Sequence, residues 1–97
     1  MFNGIFVFDL NDLIYIDHFP GNAVVPGSLI VYAFMEAFKK HGISKKIKTI
    51  SKFKFKSFLT PGEYDYSIQQ IDELSLKCSI YKNNQIAVTG FIEISKL

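Results

Sequence analysis

Apolar and polar positions along the chain change rhythm twice. The run "IFVFDL" (5–10) is a short apolar segment closed by an Asp/Asn turn signal and predicts a strand. "LIYI" (13–16) predicts a second short extended piece leading to His18. From about Pro26 to Lys40 the pattern becomes helical, with Leu29, Ile30, Val31, Ala33, Phe34, Ala37 and Phe38 leaving almost no polar face. Pro26 suits the first helical position, where a missing N–H has no helical acceptor to lose. Lys39, Lys40 and His41 suit the negative end of the dipole, and Gly42 is a natural residue just past it. A helix apolar all round is buried on all sides, and in a short chain a curved sheet is the expected wrapper.

The second half supplies strands. "KFKFKSF" (52–58) alternates lysine and phenylalanine with period two, and "TPGE" (60–63) is a turn. "YDYSIQQI" (64–71) and "LKCSIYK" (76–82) alternate as well. "NN" at 83–84 is a tight-turn signal, and "QIAVTGFIEI" (85–94) closes an antiparallel meander. Strand, buried helix, then several strands reads as α+β. With no linker, repeat or low-complexity tract, residues 1–97 are expected to form one domain.

Composition narrows the function classes. The chain is 48% hydrophobic and 15% aromatic over 97 residues. That is too apolar for disorder and high for so small a core, so self-association is expected. The formal charge is +2 and all eleven basic residues are lysines. Without guanidinium forks to grip phosphate or guanine, nucleic acid is not an expected partner. A single cysteine, Cys78, excludes an internal disulfide and a Cys-rich zinc site, and no metal or cofactor is expected. The amino terminus carries acids where a signal peptide has a basic region. The longest apolar run, 23–35, is broken by Pro-Gly and falls short of the roughly 20 residues a bilayer span needs. The expectation is a soluble, cytoplasmic protein without a membrane partner.

Candidate chemistry gathers in "DHFPGNAVVPGSLIVYAFMEAF" (17–38). His18 lies in a loop fixed by two Pro-Gly pairs, and an imidazole with pKa about 6.5 takes and returns protons near neutral pH. Gly27 stands where the first, unsatisfied helical N–H groups collect and lets a ligand carbonyl approach the backbone. Tyr32 and Glu36 share a helix face. Glu36 is informative if buried and unremarkable if it reaches water at a rim. Lys52, Lys54 and Lys56 line one strand face, either as a solvated face or a guard on an edge, or as contacts to an acidic partner or a phosphate. His41, Cys78 and the remaining tyrosines show no partner spacing and read as structural.

The stretch "HFPGNAVVPGSLIVYAF" resembles the motif of the β-hydroxyacyl-acyl-carrier-protein dehydratases of FabA/FabZ type, H-F-P-G-x-P-x-x-P-G-x-L followed by a helix acid three residues on. "KFKFKSFLTPGEYDYSI" resembles that family's F-R-x-P-V-x-P-G-D-x-L stretch, and "NNQIAVTGFIEI" its closing hairpin. The resemblance implies a hot-dog fold, with a curved antiparallel sheet of about five strands wrapped around one long central helix. It also implies a short member without the family's leading helix and first strand.

For function, it implies elimination of water from a 3-hydroxyacyl chain tethered to acyl carrier protein or CoA, at a site shared by two chains. Matched by motif, His18 is the base, Gly27 the backbone donor to the thioester carbonyl, and Phe19, Val25 and Pro26 the mouth of the acyl tunnel. Lys52, Lys54 and Lys56 are the carrier-protein contacts. The departure is at the acid: the family position holds Tyr32, and Glu36 stands one turn later, about 5.4 Å along the axis. Three readings follow. One is a homodimeric dehydratase using Tyr32 or Glu36. Another is a non-catalytic or heterodimer-dependent subunit whose partner supplies an acid. The third is a thioesterase using Glu36.

Overall fold

The computed structural model of the protein describes residues 2–9, 24–42 and 46–95. Within them lie five strands and one helix: β1 (Phe2–Phe8), α1 (Gly27–Lys40), β2 (Ile47–Phe55), β3 (Gly62–Asp72), β4 (Ser75–Lys82) and β5 (Gln85–Ile94). The strands form one antiparallel sheet in the order β1-β3-β4-β5-β2, so β1 and β2 are its edges. The strand count and the α+β class agree with the expectation, and the arrangement is hot-dog-like. The helix is shorter than "long" implies, at 14 residues. The extended piece expected at 13–16 lies outside the described residues.

Turn chemistry sets the meander. Asn83 and Asn84, at φ 53° and 63°, make the two-residue turn between β4 and β5, a conformation asparagine tolerates better than most residues. Gly42, at φ 72°, ends α1 in the left-handed conformation, its N–H donating to the Lys39 carbonyl at 3.0 Å. The Ile94 N–H donates to the Leu74 carbonyl at 2.8 Å, tying the end of β5 to the β3–β4 turn.

One face of the sheet carries the core. The register pairs Tyr66 with Ile80, Ile80 with Val88, Ile68 with Cys78 and Cys78 with Gly90, all buried side by side. The helix lays Ile30, Phe34, Ala37 and Phe38 on that face. This is a stripe at i, i+4, i+7 and i+8, the spacing of a one-sided amphipathic helix. Burial on all sides was expected. In this chain Tyr32, Met35 and Glu36 instead face outward.

Two glycines make room for the rings that surround Phe34. A Cβ on Gly4 would stand 2.5 Å from the Tyr66 hydroxyl oxygen, and one on Gly90 would stand 2.5 Å from the Phe53 ring. Each glycine therefore lets a neighbouring strand's aromatic lean across it. Tyr66 meets Phe34 edge-on at 6.0 Å, Phe6 meets it edge-on at 5.0 Å, and Phe53 lies at 5.9 Å. Fully buried, Phe34 is the centre of this cage, and truncating such a ring to Ala costs about 3–5 kcal/mol.

Strand β2 corrects the sequence reading. It begins at Ile47, and its pairing with β5 slips between Ile47 and Thr49 and again between Ser51 and Lys54. With these irregularities Ile47, Ile50 and Phe53, three residues apart, all pack on the core. Lys52 sits in the second irregularity at φ 56°, while Lys54 pairs with Thr89 inside the strand. Lys56 lies past the strand end, its N–H donating to the Ala87 carbonyl at 2.7 Å. All three side chains are exposed, Lys52 and Lys54 on either side of the inward Phe53.

Candidate functional site

The start of α1 is held by the segment that follows β2. The Val25 N–H donates to the Leu59 carbonyl at 2.7 Å, and Leu59 is fully buried. Lys82 Nζ donates to the Phe58 carbonyl at 3.2 Å, and the Ser57 N–H to the Ala87 carbonyl at 3.2 Å, fastening the same segment to the β4–β5 hairpin. Pro26 is the N-cap, at φ −62° and ψ 145°, one place earlier than the first helical position the sequence suggested. Its carbonyl accepts the N–H groups of Leu29 and Ile30, at 3.0 and 3.2 Å. Gly27 is then the first helical residue, and its N–H belongs to the set that no preceding helical carbonyl can serve. Among the described residues no side chain caps this end, and no acid lies in the first turn.

A groove of about 450 Å³ opens at this point, between Val25, Pro26, Gly27 and Ile30 on one side and Phe55, Phe58 and Leu59 on the other. Its walls are mainly apolar. A Cβ on Gly27 would stand 3.0 Å from the tip of the Phe55 ring, so that ring lies close against the backbone and would have to give by a few tenths of an ångström. Phe58 is 78% exposed, an unusual position for a large apolar side chain. The sequence placed Val25, Pro26 and Gly27 at a common site, and the structure brings those three together. It did not find Phe55 and Phe58, whose approach to Gly27 depends on chain segments about thirty residues apart. His18 and Phe19 lie outside the described residues.

Tyr32 and Glu36 line a different pocket, about 230 Å³, whose other walls are Val7, Phe8, Asp9, Leu29 and Ala33. Within one chain they are thus separate from the Gly27 groove. Glu36 is at the rim: its side chain is 56% exposed and its Oε1 lies 3.9 Å from Lys39 Nζ, a surface pair that contributes little. The carboxylate inside an apolar helix is therefore not buried in this chain. Asp9, from the end of β1, was not singled out by the sequence, because nothing local connects it to a helix more than twenty residues on.

His41 also gains a partner that spacing did not reveal. Its Nε2 is 2.9 Å from the Tyr66 hydroxyl, and its ring lies 4.8 Å from that of Phe2. Burial raises the Tyr66 phenol above its ordinary value and pushes the Cys78 thiol up to about 12. Both belong to the core. Among the described residues no three His, Cys, Asp or Glu side chains gather as a metal site, and no helix is long and apolar enough to cross a membrane.

The fold has solved counterparts. The chain superposes on a chain of the dehydratase heterocomplex ApeI:P from Xenorhabdus doucetiae with a TM-score of 0.75 and 21% identity, over 97% of this chain and 86% of that one. Among curated proteins it is 30% identical over 93 residues to the 3-hydroxyacyl-acyl-carrier-protein dehydratase FabZ of Wolbachia pipientis subsp. Culex pipiens (strain wPip). It is 33% identical over 85 residues to the FabZ of Wolbachia pipientis wMel. These alignments cover 88% and 79% of this chain but 64% and 58% of the relatives, so the chain spans less than two thirds of their length. The family model for ApeI dehydratase matches residues 3–90. The chain belongs to the ApeI-like dehydratase family.

Proposed function

We propose that the chain is a subunit of a dehydratase that removes water from a thioester-linked 3-hydroxyacyl group. The observation that carries this reading is the glycine-started helix opening on the apolar groove, with Val25, Pro26 and Gly27 all on its wall. An acyl chain has the chemistry to fill that groove. The Gly27 N–H has the chemistry to donate to a thioester carbonyl and to stabilise the enolate that forms as the C2 proton leaves. His18 takes that proton. As the C3–O bond breaks, the departing oxygen keeps its own hydrogen and receives a second from Tyr32, leaving as water. The imidazolium then returns a proton to the tyrosinate, and the product is a 2-enoyl thioester. A phenol is a stronger acid than water, so it can protonate the departing hydroxide.

The separation of the two cavities favours a site shared between chains, in which His18 and Gly27 of one chain meet Tyr32 of another. The same separation supports the heterodimeric version, in which a second, different hot-dog subunit completes the site, and the solved counterpart is described as a heterocomplex. In this reading residues 1–97 form one hot-dog domain whose sheet curves around α1, acting in the cytoplasm on acyl groups carried by acyl carrier protein or CoA. The scattered Lys52, Lys54 and Lys56 side chains are the candidate contacts to an acidic carrier.

The test is incubation of the protein with a 3-hydroxyacyl carrier thioester, following enoyl formation. Enoyl product is expected from the wild type and should vanish in His18→Ala. Loss of about 10²–10³-fold in kcat is expected for Tyr32→Phe, with Glu36→Gln within a few-fold of wild type. Activity near wild type in both helix variants would place the acid elsewhere. Free thiol released without enoyl would indicate a thioesterase, and a protein active only after mixing with a second hot-dog subunit would select the heterodimer.

A further inference from the structure

We propose that Phe55 is a specificity-determining residue of the acyl groove, and that its ring excludes acyl groups branched at C2, the carbon next to the thioester carbonyl. The proposal rests on the dehydratase reading above, in which the Gly27 N–H holds that carbonyl, and it narrows the substrate class. Its basis is the gap between the ring and the start of α1. A Cβ on Gly27 would lie 3.0, 3.3 and 3.5 Å from Cζ, Cε2 and Cε1 of Phe55. Nonbonded carbons rest about 3.5–4.0 Å apart. The side of Gly27 turned toward Phe55 therefore has less than the room of one relaxed methyl group.

The ring is backed where it stands. Phe55 ends β2 opposite Val88, which is fully buried, and the next residue's N–H donates to the Ala87 carbonyl at 2.7 Å. Its ring stacks on Phe53 at 6.4 Å and 29°, and Phe53 in turn lies 5.9 Å from Phe34 in the core. Phe58 lines the same groove but stands largely in solvent. A carbonyl accepting from the Gly27 N–H puts C2 one bond from the carbonyl carbon, in the same stretch of groove. An unbranched C2 carries two hydrogens. One is the proton that His18 removes, and the other points away from that base, toward the walls. A methyl in its place adds a volume that the gap between Gly27 and Phe55 does not hold. Branches farther along the chain lie beyond the gap, in the rest of the 450 Å³ groove. The substrates are then 3-hydroxyacyl thioesters with a CH2 at C2.

The test is equilibrium binding of two isomeric probes, 2-methylpentanoyl-pantetheine and 4-methylpentanoyl-pantetheine. They contain the same atoms, so only the position of the branch differs. The wild type is expected to prefer the 4-methyl isomer at least about tenfold, the usual weight of one misfitted methyl in an apolar site. That preference should fall to within about twofold in Phe55→Ala, shrink in Phe55→Leu and persist in Phe58→Ala. Thermal melts establish that the variants are folded, and Phe55→Leu carries the test if the alanine variant is not. If the preference survives both Phe55 substitutions, or vanishes in Phe58→Ala instead, the assignment is wrong. Equal binding of the two isomers by the wild type would also overturn it while leaving acyl-thioester binding intact. Binding of neither probe would refute the dehydratase reading itself, and this inference with it.

Discussion

Cys78 kept its meaning once the chain was folded, and Glu36 changed its own. Cys78 carried no motif and reads as structural in both the sequence and the fold: it is fully buried and its thiol is pushed up to about 12. Because only the thiolate reacts, native protein at pH 8 should resist an aromatic disulfide reagent and label at the ordinary rate once unfolded. The same burial has a pH signature. The unfolded thiol ionises from about its ordinary 9.0, while the folded one holds its proton to about 12, so stability is full below pH 9 and falls as pH rises through that window. The slope in the wild type should exceed that of Cys78→Ala by up to about 1.4 kcal/mol per pH unit, read from urea unfolding at several pH values. Equal slopes, or rapid native labelling, would contradict this placement. Glu36 was legible as an oddity but not as a rim residue, because helical periodicity says which residues share a face, not which face the sheet covers.

Among the elements, legibility followed regularity. The helix, β5 and the Asn83–Asn84 turn lie where periodicity and turn chemistry placed them, since each is governed by neighbours in sequence. Strand β2 was found late and read as one clean alternation. Its inward residues, Ile47, Ile50 and Phe53, repeat every three because bulges interrupt the pleat, and a period-two template cannot register that. The glycines opposite aromatic rings were silent for the same reason: Gly90 matters only because β2 lies beside β5. Gly90→Ala should cost about 1–3 kcal/mol in denaturant melts, as the Phe53 ring has to be displaced. In Phe53→Leu the same substitution should cost distinctly less. Matching costs in the two backgrounds would mean that Phe53 does not lie over Gly90.

On the scale of the whole molecule, the chain presents apolar groups that a protein this small has reason to cover. Ile5 and Val7 on the β1 edge, Tyr32 and Met35 on α1, and Phe55 and Phe58 at the groove are all exposed. The motif around His18 and the Gly27 amide was legible because it is local. What the sequence could not convey is that Gly27 and Tyr32, five residues apart on one helix, open on different cavities. Under the proposed function, that separation calls for a second chain to complete the site. The most direct test mixes two inactive proteins, His18→Ala and Tyr32→Phe, under conditions that let subunits exchange. A site assembled across chains puts His18 and Tyr32 from different subunits together, so mixed dimers should carry one intact site and regain about a quarter of wild-type activity, half of the dimers being mixed and each having one site of two. A mixture that exchanges subunits yet stays as inactive as its components would contradict the shared site.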